Sequence, residues 1–153
     1  MLITQAAGRA GRANLQGKVI VQAYNVEANA VVLGSHQDYE TFCRKELIYR
    51  KKFFYPPYCR LVKLMFMSTV ESDAKKFAKK IVDAFKTEIA NNSHVRQEIL
   101  GPIPAMISKY RDEFRFVVLI KTKDLSAVRK FLLSHDLDKL PEVSIDIDPI
   151  STT

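Results

Sequence analysis

Beyond residue 59, the spacing of the apolar residues alternates between two periods, and this alternation constrains the fold more than any other feature of the chain. A period of two indicates a strand with one buried side, whereas spacings of three and four indicate a helix with one buried stripe. The sequence therefore predicts strands at 60–67, 99–107, 114–121 and 143–147, and helices at 71–91 and 125–135. A βαββαβ order of this kind forms an antiparallel sheet with both helices on one face, the ferredoxin-like arrangement of the α+β class.

Local features within these segments support the predicted order. Ser72 is a candidate N-cap for helix 71–91, and Asp124 is placed to cap helix 125–135. In the strand 114–121 both alternating sets of side chains contain apolar residues, so neither face of that strand is wholly polar. The exposed face of such a sheet is a common binding surface.

The segment before residue 59 divides into a predicted strand and a predicted helix, and a pair of prolines ends the helix. β-Branched residues predict a strand over 18–24, and an apolar stripe predicts a helix over 37–52. The pair Pro56-Pro57 ends this helical region, because proline lacks the amide donor and disfavours helical backbone in the residue before it. We expect three parts in the chain, at 1–35, 36–58 and 59–153.

A short motif near the start of the chain has the composition of a nucleotide site. Gln5, Gly8, Arg9 and Arg12 stand in the pattern Q-x-x-G-R-x-x-R. Arginine carries a permanently charged planar fork that matches phosphate oxygens, and glycine leaves room for a close approach. A glycine-loosened basic loop is the alternative interpretation. The sequence contains neither a G-x-x-x-x-G-K-[ST] loop nor an acidic pair after a strand for magnesium, so we expect no ATP hydrolysis by this chain alone.

Charge and cysteine content limit the classes of partner and compartment. Twenty-four Lys and Arg against seventeen Asp and Glu give a formal net charge of +7, which favours a polyanionic partner. Cys43 and Cys59 form no C-x-x-C pair, so neither a disulfide framework nor a metal site is indicated. No apolar run approaches the roughly 20 residues that span a bilayer. The N-terminus does not have the pattern of a signal peptide, because arginines interrupt its apolar residues. We expect a cytoplasmic protein without a membrane partner.

Candidate nucleic-acid contacts lie at the tip of the predicted hairpin and at the start of the first predicted strand. At the tip, positive charge is combined with an aromatic ring that can stack on an unpaired base. Asp112 and Glu113 in the same tip oppose phosphate binding. A polar tip without a ligand is the alternative for the hairpin, and packing against another domain is the alternative for Arg60. The candidate residues are Lys109, Tyr110, Arg111, Arg115, Arg60 and Lys63.

The motif at residues 5–12 resembles the last motif of superfamily 2 helicases, in which both arginines reach ATP bound on another domain. Further segments follow in the family-typical order: Gly17–Gln22, Gln37–Tyr39 with Phe42, Glu46-Leu47 with Arg50, Tyr55–Tyr58, Leu100–Ala105 and Asp146–Pro149. Together they narrow this resemblance to the PriA family of replication-restart helicases, also called primosomal protein N′. The chain opens only four residues before the motif, so we expect it to be the C-terminal piece of a longer protein.

The resemblance implies an ATP-dependent 3′ to 5′ DNA helicase that recognises stalled forks and D-loops and restarts replication through primosome assembly. It implies that Gln5, Gly8, Arg9 and Arg12 belong to the ATP site, with Arg9 and Arg12 catalytic and Arg12 the arginine finger. ATP and magnesium, and zinc through residues upstream of this chain, would be cofactors of the full-length protein.

The same resemblance assigns a role to each part of the chain. Residues 1–35 would be the C-terminal edge of a RecA-like helicase lobe, 36–58 a linking helix with a Pro-Pro joint, and 59–153 an S10-like domain that binds branched DNA. Single-stranded-DNA-binding protein and other primosome proteins would be its protein partners. Two other functions stay open: a non-catalytic protein-docking module of the restart complex, and a small S10-like RNA-binding domain.

Overall fold

A computed structural model describes residues 2–8, 18–90 and 95–152 of the chain. The chain divides into two compact units, 1–52 and 53–153. The boundary falls just before the segment that contains Pro56 and Pro57. The division into three parts at 1–35, 36–58 and 59–153 stays a prediction.

The first unit contains α1 (Leu2–Ala7), α2 (Asn29–Ser35) and α3 (Tyr39–Lys52). The Asp38 carboxylate accepts a hydrogen bond from the Thr41 backbone amide at 3.0 Å, which satisfies one of the free donors at the start of α3. This backbone hydrogen bond also holds the pKa of Asp38 below its usual range. The helix predicted over 37–52 is therefore confirmed, with a side-chain cap at its beginning.

The strand predicted over 18–24 is wrong, because these residues lie in no helix or strand. β-Branched residues favour extended backbone, but a strand also needs a neighbouring strand to complete its hydrogen bonds. The other elements described in the first unit are helices, so no such neighbour is available there. The apolar stripe of α3 likewise has no described core to enter: Tyr39 and Ile48 are 63% and 69% exposed.

The second unit is built on a four-stranded antiparallel sheet with strand order β2-β3-β1-β4. Its main elements are β1 (Arg60–Ser68), α4 (Glu71–Phe85), β2 (Gln97–Tyr110), β3 (Glu113–Thr122), α5 (Leu125–Ser134) and β4 (Val143–Ile147). This confirms the predicted α+β class and the βαββαβ order. No helix among the described residues has the length and apolar character needed to cross a membrane.

The hydrophobic core lies between one face of this sheet and the helices α4 and α5. Val62, Leu64 and Phe66 point from the central strand β1 into this core. The rings of Phe85 on α4 and Phe131 on α5 meet edge to face, with centroids 5.2 Å apart. Both helices therefore cover the same face of the sheet, as the sequence predicts. The opposite face carries the side chains that alternate with those in the core.

The two predicted helix caps have different outcomes. Asp124 caps α5 as predicted, and its carboxylate accepts from the Ala127 amide at 3.1 Å. Ser72 is not a cap: α4 begins after Val70, and the Ser72 hydroxyl donates to the neighbouring Asp73 carboxylate at 3.2 Å. The α-helix ends at Phe85 and a π-helical turn, Lys86–Ala90, continues it, whereas residue 91 of the predicted helix lies outside the described residues.

Candidate nucleic-acid interface

β2 and β3 form a hairpin whose turn consists of Arg111 and Asp112. Both residues have positive φ angles, 50° and 65°, as in the two-residue turns whose twist matches that of the flanking strands. The turn is shorter than the predicted tip at 108–113, because Tyr110 pairs with Glu113 and extends the ladder to the turn. The sequence prediction assigned these paired residues to the tip because their side chains are polar, as in most loops.

Four of the predicted contact residues come together at this turn, and we call Lys109, Tyr110, Arg111 and Arg115 the hairpin cluster. The guanidinium carbons of Arg115 and Arg111 lie 4.4 Å and 5.2 Å from the centroid of the Tyr110 ring. The ammonium group of Lys109 lies 5.3 Å from the centroid of the Phe114 ring. Aromatic rings attract cations placed over their faces. The rings therefore hold three positive charges beside a tyrosine that is 45% exposed.

One acidic residue lies within the same turn. Oδ1 of Asp112 is 3.3 Å from Nζ of Lys109, and the Asp112 side chain is 92% exposed. Exposed ion pairs of this kind contribute little to stability and are screened by salt, so an incoming phosphate can displace the carboxylate. Among the residues that the structure describes, Arg111 and Arg115 form no ion pair. The two arginines are therefore the principal anion-binding groups of the cluster.

A wide irregularity in the ladder lies beside the hairpin cluster. Pro104 pairs with Phe116 and Lys109 pairs with Phe114, so the four residues 105–108 face the single residue Arg115. We call residues 105–108 the bulge. Nε of Arg115 is buried and has no hydrogen-bond partner. A cavity of about 170 Å³ is lined by Met65, Ala105, Met106, Ile107 and Arg115. Sequence reasoning missed the bulge; the prolines at 102 and 104, which cannot donate to a ladder, were the available indication.

Arg60 lies away from the hairpin cluster, whereas Lys63 is nearer, since it pairs with Leu119, four residues along β3 from Arg115. Arg60 pairs with Thr122, seven residues along β3 from Arg115, a separation of about 23 Å at the usual strand rise. Lys63 donates from Nζ to the carbonyl oxygen of Ser151 at 3.2 Å. Arg60 donates from Nε to Oδ2 of Asp148 at 2.7 Å and forms a second contact through its terminal nitrogen. The six predicted contact residues therefore do not form one surface.

The ion pair between Arg60 and Asp148 makes the stability of the second unit depend on pH. The hydrogen bond from Arg60 holds the pKa of the Asp148 carboxyl below its usual value of 3.8. A lowered carboxyl pKa stabilises the folded state above the unfolded pKa, and this contribution disappears as the pH falls through the folded value. We expect Asp148→Asn to lower the urea midpoint by about 0.3 M at pH 7 and by much less at pH 3. Far-UV circular dichroism measures both midpoints.

Asp146→Asn, on β4 two residues before Asp148, is the matched control, because the structure shows no ion pair there among the described residues. It is expected to show a smaller pH-dependent difference from the unchanged chain. An Asp148→Asn effect of equal size at both pH values would mean that altered packing or hydrogen-bond geometry around the Leu61 amide, and not the charge of Asp148, explains the loss.

The nucleotide motif is described only in part. Gln5 lies on α1 with an exposed side chain, and Gly8 follows that helix, with its amide donating to the Thr4 carbonyl at 3.0 Å. A Cβ added at Gly8 would lie 3.4 Å from the Thr4 oxygen, an ordinary contact, so local packing does not require glycine there. Arg9 and Arg12 lie outside the described residues. The ATP-binding role of all four residues stays a prediction.

The cysteines are free thiols in different surroundings. Cys59 is buried, and its Sγ donates to the Phe54 carbonyl at 3.2 Å, whereas Cys43 is partly exposed. Burial raises the pKa of the Cys59 thiol, which lowers its reactivity. Within the described ranges, no group of three His, Cys, Asp or Glu side chains is placed to hold a metal ion.

Comparison with known proteins assigns the chain to a family. Residues 51–150 match the family model described as the primosomal protein N C-terminal domain. The chain is 34% identical over 155 positions to the replication restart protein PriA of Bacillus subtilis (strain 168), covering 97% of this chain and 19% of that protein. It is 36% identical over 157 positions to the protein of the same name from Rickettsia typhi, covering 97% of this chain and 22% of the relative.

The chain thus spans about a fifth of the length of these relatives. The matched region, 51–150, contains the whole sheet of the second unit and the hairpin cluster. The resemblance that the sequence motifs indicate is confirmed, and the chain belongs to the PriA family and carries its C-terminal domain.

Proposed function

We propose that this chain is the C-terminal part of an ATP-dependent 3′ to 5′ DNA helicase that recognises stalled forks and D-loops and restarts replication through primosome assembly. The name of the relatives, replication restart protein, supports the biological role. The hairpin cluster carries the proposal for this chain, because three cations and a half-exposed tyrosine gather at one turn. The second unit would therefore contact DNA directly.

The hairpin cluster has the groups that a DNA backbone requires. The guanidinium forks of Arg111 and Arg115 can donate to two phosphate oxygens at once, and Lys109 can act as a compact point charge. The Tyr110 ring offers a flat surface on which an unpaired base can stack. Binding by such groups weakens with rising salt and is insensitive to sequence, because cations on phosphate release counterions.

The ATP site would be completed across a cleft to another part of the full-length protein. Gln5 and Gly8 are exposed, so a nucleotide held by that part can reach them. Arg9 and Arg12 would place positive charge on the transferred phosphoryl group, with Arg12 as the arginine finger. ATP and magnesium would be bound by the helicase core, and zinc by residues upstream. This chain alone would not hydrolyse ATP.

The DNA role can be tested by fluorescence anisotropy with a three-way fork, a plain duplex and a single strand at two salt concentrations. We expect salt-sensitive binding to the fork that Arg111→Ala/Arg115→Ala weakens about tenfold, with a salt slope reduced by about 1 to 2. The control, Lys79→Ala/Lys80→Ala, removes the same charge from the exposed face of α4. It is expected to change fork affinity by less than about threefold.

Equal losses in the two double variants would mean that overall charge, not the hairpin cluster, attracts DNA. No detectable binding of the unchanged chain to any of the three DNAs would contradict a DNA-contacting role. The second unit would then be better explained as a docking module for single-stranded-DNA-binding protein or another primosome protein.

A further inference from the structure

We propose that the bulge of β2 forms an apolar wedge, through Met106 and Ile107, that packs against the exposed base at the junction of a branched DNA. This inference rests on the proposed function. It adds a physical means by which the second unit would distinguish a branch from an uninterrupted duplex.

The wedge residues are among the most exposed apolar side chains of the second unit. Met106 is 80% exposed and Ile107 is 59% exposed, and Ile103 on the same strand is 56% exposed. Single exposed apolar residues are ordinary, but neighbouring ones often mark a contact surface. Because four residues of β2 face one residue of β3, the backbone of the bulge leaves the regular ladder. The bulge therefore presents apolar side chains at an edge strand.

The charges beside the bulge favour DNA as the partner. Arg115 faces the bulge, Lys109 and Arg111 follow it in the hairpin cluster, and the chain has a net charge of +7. Met and Ile are among the apolar side chains that insert between base steps, with Arg or Lys on nearby phosphates. The flexible thioether of Met106 also adapts well to an irregular surface.

The cavity beside the bulge supplies a second indication of a ligand. It has a volume of about 170 Å³, and its lining includes Arg115 together with Met106 and Ile107. Nε of Arg115 is a buried donor without a hydrogen-bond partner, which is costly for a polar group. A base or phosphate acceptor that enters beside the wedge would satisfy this donor.

A wedge of this kind favours branches for a simple reason. In an uninterrupted duplex every base pair is stacked on both sides, so insertion must first break a stack. At a fork junction the last base pair has one free face, and apolar side chains can cover it without unstacking. The wedge should therefore add affinity for a fork but not for a plain duplex, whereas the cations of the hairpin cluster should add affinity for both.

The test uses the full 153-residue chain with Met106→Ser/Ile107→Ser, a fork and a duplex of equal length. We expect about tenfold weaker binding to the fork, duplex binding within about twofold, and an unchanged salt slope because no charge is removed. Val70→Ser/Leu133→Ser is the matched control, since these apolar side chains are 50% and 60% exposed elsewhere in the second unit. Met106→Leu/Ile107→Leu should restore fork binding, and the retained duplex binding of the serine variant guards against a folding defect.

A second readout places 2-aminopurine at the base pair next to the junction. The unchanged chain should raise its fluorescence, and the serine variant should not. Retention of both the fork preference and the fluorescence change by the serine variant would overturn the wedge while leaving DNA binding intact. Loss of binding to a primosome protein, with fork binding unchanged, would overturn it too and assign the bulge to protein docking. Absence of DNA binding by the unchanged chain would contradict the proposed function itself.

Discussion

Gly101→Ala is expected to destabilise the second unit by about 3 kcal/mol. Gly101 has a φ angle of 103°, a backbone conformation that residues other than glycine rarely adopt. A Cβ at this position would lie 2.6 Å from the carbonyl oxygen of Val117 and 3.3 Å from the amide nitrogen of Ile103. Val117 belongs to β3, which is paired on both sides, so its carbonyl cannot retreat without disturbing the sheet.

Urea unfolding followed by far-UV circular dichroism measures this effect, since the chain has no tryptophan to report by fluorescence. Gly8→Ala in the first unit is the control, because its Cβ would meet the Thr4 carbonyl at an ordinary 3.4 Å. The unfolding transition of the second unit should be unchanged in that variant. A Gly101→Ala midpoint equal to that of the unchanged chain would show that this part of β2 can relax around a methyl group.

Apolar spacing predicted the sheet because its strands and helices bury one face in a shared core, although β1 and β3 also bury Leu61 and Leu119 in a second cluster with Phe54 and Cys59. Phe116, Val118 and Ile120 alternate along β3 and all enter that core. The same reasoning failed at 18–24, where extended-favouring residues have no described strand beside them. A pattern of apolar residues records a tendency to be buried, but it does not identify what will cover them.

The candidate site was predictable only where it is local in sequence. The hairpin cluster spans seven residues, 109–115, so a turn between two strands is enough to bring its members together. The bulge depends on the register of β2 against β3, which apolar spacing did not indicate. The buried contacts of Lys121 join residues far apart in sequence, since its ammonium group donates to the Phe53 carbonyl 68 positions away. The spacing of residues in the sequence cannot predict a contact of that kind.

Lys121→Ala is expected to cost the second unit about 3 kcal/mol as well. The Lys121 side chain is only 5% exposed, and its Nζ lies 2.9 Å from the Phe53 carbonyl oxygen. The same nitrogen lies 3.8 Å from the centroid of the Tyr55 ring and 3.5 Å from Oε2 of Glu98. One buried cation thus joins the start of the second unit to two strands of its sheet. Its removal takes a buried donor from the Phe53 carbonyl and one of two cations from Glu98, whose other oxygen accepts from Arg96 Nε at 3.0 Å.

Two further variants separate the charge of Lys121 from its aliphatic stem. Lys121→Met keeps most of the buried stem and should recover about half of the loss, whereas Glu98→Gln should cost less than about 1 kcal/mol because Glu98 is 31% exposed. All three are compared by urea unfolding. Lys121 lies at the end of β3 away from the turn, so folded variants should bind a fork as the unchanged chain does. Full stability of Lys121→Met would mean that the buried charge is dispensable and that packing alone holds the Phe53–Tyr55 segment on the sheet, because an apolar side chain of similar volume can replace a buried ion without loss.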